Sequence, residues 1–435
     1  MRLLVFALVC LPAVAAAGPA KLTLEQVIDK ALAGPKARMA ASDRDAAAAR
    51  VDEASAARMP RIKATAFGTL SPQIHCLDVP CTMTDPENFA LKFDGLFVGA
   101  QLDVTQPLYT FGKIAHARRA AAAGLDAERA LADETAGDLA VDAARAYWGA
   151  KLARELGLML DDGIDQIDDA LKKIATDPEI TIQDRQRVAV LLAEAKVQRA
   201  EATGGELQAL AGLRALTGVA EVDVDDAPLA AVERSLPKLA SADHRPQATA
   251  ARAGAKAADE LAALAASYYF PDLALVGSAV VAKAQGVDDP PSVFANDPYN
   301  RSGAGIVLAL QWQLEPWTTK AKTDKARAEA RKARAQSELA ALGATFDAQT
   351  ALAEAQAAHD KVAAAAEGEK AARAWLASVL QGEAVGATEP KDLADAYIAW
   401  FQMRARWAQA VFQWNVAVVR LDRASGEFHA GGHRP

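Results

Sequence analysis

Between residues 139 and 174 the chain places Leu139, Ala143, Ala146, Ala150, Ala153, Gly157, Leu160, Ile164, Ile167, Leu171 and Ile174 at spacings of four and three without a miss. A seam with this period commits the segment to a long helix packed in left-handed coiled-coil fashion against others. The helical pattern is unbroken over about 113–174, and roughly sixty residues at ~1.5 Å each make a rod of ~90 Å.

The plan occurs twice, at a separation of about two hundred residues, far longer than a solenoid period. Each copy reads helix, strand, loop, strand, long helix, turn, returning helix. The second long helix covers about residues 318–381, and the returning helices, about 181–216 and 391–424, are only a little over half as long as the descending ones. The helices ahead of the strands, up to Met59 and about 245–267, supply the missing length if stacked end to end on the returning ones. In the second returning helix Leu393, Ala396, Trp400, Met403, Trp407, Ala410, Trp414, Ala417 and Leu421 keep the same spacing. That places the tryptophans in a packed seam and not in a ligand-binding row.

Between the helices the period changes to two. The strand pairs are "PRIKATAFGTLSP" with "FVGAQLDVTQPLYTF" and "FPDLALVGSAVVAKA" with "GAGIVLALQWQLEPW". Val98, Ala100, Leu102 and Val104 alternate with Gly99, Gln101, Asp103 and Thr105, so the two faces of one strand want different solvents. Aligning Pro107 with Pro316 would set Leu102 opposite Gln311 and reverse the faces; pairing Gly99 with Gly305 keeps Ala100, Leu102 and Val104 beside Ile306, Leu308 and Leu310. The reading expects Gln311 and Gln313 on the wet side of the second copy.

The opening "MRLLVFALVCLPAVAAAGPA" has the basic, apolar and small-residue layout of a secretory signal, with Cys10 inside the apolar run. The expected organisation is a signal peptide over 1–17, a first repeat over 18–235, a second over 236–426 and a disordered tail over 427–435. No other stretch has the ~18 consecutive apolar residues of a spanning helix, so any span must be made of strands. Four strands leave open edges that lipid does not tolerate, because each unpaired backbone group costs several kcal/mol. Copies from other chains must then close the sheet. Aromatics cluster where strands meet helices, at Tyr109, Phe111, Tyr268, Tyr269, Phe270, Trp312 and Trp317, in the manner of an interfacial girdle. The loops over about 71–94 and 285–302 are rich in Asp, Pro and Asn, and Cys76 and Cys81 in the first are expected to form a disulfide after export.

A net charge of -8 without a dense basic tract argues against a nucleic-acid partner. No metal-binding, nucleophile or phosphate-loop motif is present, no cofactor is expected, and the six methionines form no cluster for soft metal ions. A secreted coiled-coil structural or adhesion protein would explain the heptads but not the duplicated two-faced strands. A periplasmic enzyme or binding protein would show short mixed elements around a polar pocket.

In "LTLEQVIDKAL", "QPLYTFGKIAHARRAAAAGLDAE" and "TEPKDLADAYIAWFQMRARWAQAVFQWNVAVVRLDRASG" the chain resembles the TolC-like outer-membrane efflux channels over essentially its whole mature length. The resemblance implies a mainly α fold with a small β-barrel part: a homotrimer with a twelve-stranded barrel in outer-membrane lipid on a helical periplasmic tunnel. It also implies a periplasmic adaptor protein and an inner-membrane transporter as partners, and conduction instead of catalysis, with the cargo (drugs or secreted proteins) left open. By the same resemblance the turns at "TDPEIT" and "GEAVGATEPK", with Asp177, Pro178, Glu179, Glu389 and Pro390, dock the adaptor. Asp392 and Asp395 of "DLAD", with Asp184 near the first turn, ring the periplasmic entrance. Glu383 and Thr388 stand near the positions where the family has a latch tyrosine and arginine, which this chain lacks. The stripe Asp161, Asp165 and Asp168 is expected to be wet, lining the lumen or facing solvent.

Overall fold

A computed structural model describes residues 20–73, 93–175, 181–238, 242, 244–288, 299–384 and 390–428. The signal segment, Cys76, Cys81, Asp177, Pro178, Glu179, Glu389 and residues 429–435 lie outside the described residues. In chain order the elements are β1 (Ala20–Leu22), α1 (Leu24–Leu32), α2 (Pro35–Ala56), β2 (Arg61–Pro72), β3 (Phe93–Tyr109), α3 (Lys113–Ala175), α4 (Ile182–Thr217), β4 (Val222–Val224), α5 (Pro246–Ser267), β5 (Asp272–Ala284), β6 (Arg301–Gln311), α6 (Pro316–Ala384) and α7 (Pro390–Ser425). Both copies therefore follow the expected plan, and α3 and α6 are 63 and 69 residues long.

Local chemistry sets the helix ends. Pro35, Pro246, Pro316 and Pro390 each open a helix, where a missing N–H costs nothing and a fixed φ favours the first turn. Thr23 and Gln26 cap α1 reciprocally, and Thr181 caps α4 by accepting from the Asp184 amide. Gly218, with φ 70°, ends α4 in a left-handed turn whose N–H donates to the Arg214 carbonyl.

The chain divides into two compact units, each drawing on both repeats. The strand unit, residues 45–127 and 251–337, holds one antiparallel sheet in the order β2-β3-β5-β6. Its register puts Ile62, Ala64, Ala66 and Leu70 of β2 on one face with Leu96, Val98, Ala100, Leu102 and Val104 of β3. Leu275, Ala279 and Val281 of β5 and Ile306, Leu308 and Leu310 of β6 continue that face. Ala100, Leu102 and Val104 thus share a face with Ile306, Leu308 and Leu310, as the Gly99–Gly305 alignment expects and the Pro107–Pro316 alignment does not.

The helical unit holds residues 1–44, 128–250 and 338–435. The α3 seam is buried from Leu139 to Leu160 apart from half-buried Ala146, and half-buried from Ile164 to Ile174. In α7, Trp414 is buried and Trp400 and Trp407 half-buried, which supports the packed-seam reading of that row. Strand β1 pairs in parallel with β4, and directly after it the Asp225 carboxylate accepts hydrogen bonds from the Tyr147 hydroxyl (2.7 Å) and the buried Lys151 ammonium (2.5 Å). Burial pushes Asp225 up, but the bonds from Lys151 and Tyr147 outweigh it and hold the carboxyl below its usual range.

The segment that links the repeats lies along α7 as a strap. The Asn415 side chain, 1% exposed, accepts from the Val232 N–H (2.9 Å) and donates to the Ala230 carbonyl (2.8 Å), while the Trp414 indole donates to the Val232 carbonyl (2.8 Å). At the far end of the strap Arg245 pairs with Asp347 (2.8 Å) and Glu134 (3.5 Å), and Arg423 with Glu134 (2.7 Å) and Asp138 (2.6 Å). Glu427 and Phe428, assigned from sequence to the tail, are tied by their amides to the Asp422 carbonyl, and Phe428 packs on the cluster of Ala140, Val141, Ala144 and Val419.

Candidate functional site

The sheet turns its apolar side chains outward. Ile62 is 69% exposed, Leu102 44% and Ile306 77%, whereas Gly99, Gln101 and Asp103, on the other face of β3, are half-buried. A sheet in water places its apolar face inward, so this exposed surface needs an apolar solvent or partner. The opposite face carries Arg61, Lys63, Thr65 and Thr69 of β2, Gln101, Asp103 and Thr105 of β3, Ser278 of β5 and Gln311 of β6. The Gln101 amide donates to both Asp103 oxygens, at 2.9 and 3.0 Å. On the second repeat this face is less polar than expected, with Val276, Val280 and Val307 among its residues. Gln313 does not extend it: β6 ends at Gln311, and Gln313 donates to Glu315 at 2.8 Å. Strands β2 and β6 are the two edges, each with one strand neighbour among the described residues.

Where β3 meets α3, Phe111 (φ 48°) and Gly112 (φ 91°) both take left-handed backbone, which turns the chain within two residues. The Lys113 ammonium donates to the Phe270 carbonyl (2.9 Å), pairs with Asp272 (2.8 Å) and sits 5.3 Å from the Tyr268 ring centre. Within the next two turns of α3, His116 (2.7 Å) and Arg119 (3.0 Å) bind Glu260, tying α5 to α3. Tyr109, Phe111, Tyr268, Tyr269, Phe270, Trp312 and Trp317 are all exposed, the last by 84%. Phe111 stacks on Phe270 with ring centres 5.7 Å apart and meets Tyr109 edge-on, and the Trp312 indole donates to the Tyr269 carbonyl (3.2 Å). Lys113 was not singled out from sequence, although a lone cation directly after a Phe-Gly turn was the available signal.

Of the expected entrance acids, Asp392 lies in the first turn of α7 and Asp395 one turn on; both are exposed, while Ala396 beside them is buried. Asp184 is exposed in the first turn of α4 and accepts from the Thr181 hydroxyl at 2.6 Å. Pro390 is the first residue of α7. The acidic stripe on α3 is partly neutralised, because Asp161 pairs with Arg199 of α4 (2.7 Å) and Asp168 with Lys172 (2.8 Å). Those hydrogen bonds hold both carboxyls below their ordinary range. Sequence reasoning missed a junction of three helices in the same unit: Arg404 of α7 reaches Glu155 of α3 and lies 3.9 Å from Glu369 of α6, which also accepts from Arg373 and the Trp400 indole. Close by, Phe401 lies on Gly163, where a Cβ would come within 2.5 Å of the ring. Among the described residues no helix is long and apolar enough to cross a membrane, and none group to hold a metal ion.

Residues 239–427 match the model of the outer membrane efflux protein family. Among solved structures, the fold is similar to CusC, a transmembrane channel, with a TM-score of 0.76 at 17% identity over 95% of both chains. It is also similar to the CmeC outer membrane channel of Campylobacter jejuni (TM-score 0.78, 15% identity, 93% of this chain and 85% of that one). The open-state MtrE outer membrane channel of Neisseria gonorrhoeae gives a TM-score of 0.76 at 19% identity, over 95% of this chain and 93% of the other. No curated protein matches the chain.

Proposed function

We propose, from the premise that the second repeat belongs to the outer membrane efflux protein family and the whole chain has the fold of outer-membrane channels, that this protein is the outer-membrane duct of an efflux or secretion assembly. The observation that carries the reading is the inverted sheet, apolar outside and polar inside, with both edges open. Three chains pair β6 of one with β2 of the next, closing a twelve-stranded barrel and removing every edge. The exposed aromatics at the strand–helix junctions sit at the headgroup level. Cargo arrives from an inner-membrane transporter through a periplasmic adaptor, which meets the turns between α3 and α4 and between α6 and α7. A coiled-coil structural protein would have no use for an outward apolar sheet face.

Purified in detergent, the protein is expected to sediment as a trimer and to form ion-conducting pores in planar bilayers. A soluble monomer obtained without detergent overturns the reading.

Three copies of Asp184, Asp392 and Asp395 ring the periplasmic entrance in this reading. Exposed carboxylates gathered around a narrow axis concentrate negative potential, favour cations and offer multivalent cations a blocking site. Asp392→Ala combined with Asp395→Ala is expected to reduce cation selectivity and to weaken block by trivalent cations severalfold in single-channel recordings. A folded double mutant with unchanged selectivity and block would remove these carboxylates from the entrance.

A further inference from the structure

The polar face of the sheet is not polar throughout. Phe67, Gly99, Ala282 and Arg301 form a straight row across β2, β3, β5 and β6. The far end of the Phe67 ring lies over Gly99, where a Cβ would come within 2.4 Å of Cζ. Phe67 meets Phe97 edge-on at 5.2 Å between ring centres, and Phe97 meets Tyr299 at 5.4 Å. The three rings make a ledge that starts on β2 and ends at Tyr299, two residues before Arg301. On β6 the next two positions of this face are Gly303 and Gly305, and nothing lies within 4 Å of where a Cβ would stand at either. An open step therefore adjoins Arg301 on the side away from Tyr299.

Arg301 is exposed and makes no ion pair among the described residues. Farther along the face stand Arg61 and Lys63. Of the two acids of the face among the described residues, Asp272 pairs with Lys113, and Asp103, which accepts from the neutral Gln101 amide, stands directly opposite Lys63, so Arg61 and Arg301 have no acid beside them on this face. The uncompensated charge on this surface is positive, the reverse of the acidic helix ends. Neighbouring strands are ~4.8 Å apart, so Arg301 and Phe67 are about 14 Å apart along the row, a span that an aromatic ring bearing an anionic group can bridge in part.

We infer that the aromatic ledge and Arg301 form a contact site for small amphipathic organic anions, the ring resting against the Phe97–Tyr299 end of the ledge and the carboxylate or sulfonate held by the guanidinium. This names a cargo chemistry for the duct and rests on the reading that this face lines its water. The forked guanidinium can donate to two oxygens of a carboxylate or a sulfonate at once, and aromatic pairs favour offset or edge-on contact. The competing role of Phe67, covering the bare backbone at Gly99, demands no anion.

The test uses purified trimer in planar bilayers in potassium chloride, with 1-naphthalenesulfonate as the probe. The expected result is a reduction of single-channel current that neither methanesulfonate nor 1-naphthylmethylammonium produces at the same concentration. Arg301→Gln and Phe97→Leu should each weaken the block at least fivefold without closing the pore. Equal block in Arg301→Gln, or equal block by the ammonium compound, overturns the site. Equilibrium dialysis of 1-naphthalenesulfonate against protein in lipid nanodiscs separates this inference from the conduction reading. Arg301-dependent binding without any pore current upholds the site and overturns the duct, whereas normal pores without such binding overturn the site alone.

Discussion

Leu102→Arg is expected to keep the protein out of the outer membrane, while the same change one residue earlier, Gln101→Arg, is expected to be tolerated. Leu102 sits mid-strand on the outward face, in the row Ala64, Leu102, Ala279 and Ala304. An arginine facing lipid near the bilayer midplane costs ~2–4 kcal/mol, and a trimer incurs it three times in one barrel. Gln101 lies on the opposite face, where its amide binds Asp103 and where a longer cation would meet water. The measurement is the amount of detergent-extractable trimer in outer-membrane fractions of cells expressing each variant. Equal assembly of the two would show that the faces of β3 do not meet different solvents, and the inverted-sheet argument would fail with them.

Arg245→Met is expected to destabilise the helical unit by about 3–5 kcal/mol, the usual cost of removing one partner from a buried ion pair. Arg245 is 2% exposed and stands between Glu134 and Asp347, and Arg423 alone would then face the Glu134 carboxylate. Asp347 is half exposed, so Asp347→Asn should cost no more than ~1 kcal/mol. Loss of helical circular dichroism on heating, compared among wild type and the two variants, checks both values. Equal transitions for Arg245→Met and wild type would mean that the cluster is solvated and adds nothing.

The long helices and the two-faced strands were legible because each writes a period over many residues. The α3 seam runs through eleven positions, and the alternation in β3 survives a duplicate in β6, so single exceptions do not hide either pattern. The parity argument also worked for a physical reason: a slip of one residue exchanges lipid for water. What could not be read were contacts between residues far apart in the chain, with no period to announce them. Asn415 looks like an ordinary polar residue in a helix until the strap is laid beside it, and Arg404 gives no sign that it serves α3 and α6 together. The acidic stripe is wet as expected, but its pairing was illegible for the same reason, since the Arg199 that neutralises Asp161 lies 38 residues on. Gln313 was misplaced because the alternation in the letters continues past the point where β6 stops.

The strap has a bearing on the order of events during synthesis. Its bonds to Trp414 and Asn415 join residues 182 to 185 positions apart, so the middle of the chain cannot find its partners until nearly the last helix has been made. Strand β3 likewise waits for β5. Contacts of such separation form late and slowly. An exported chain would then travel for most of its length as loose helices and strand pairs with open edges, a state in which exposed apolar segments invite association with the wrong neighbour. Completion is signalled by the final 36-residue helix, and a product cut short before it would lack the clasp that marks it as finished.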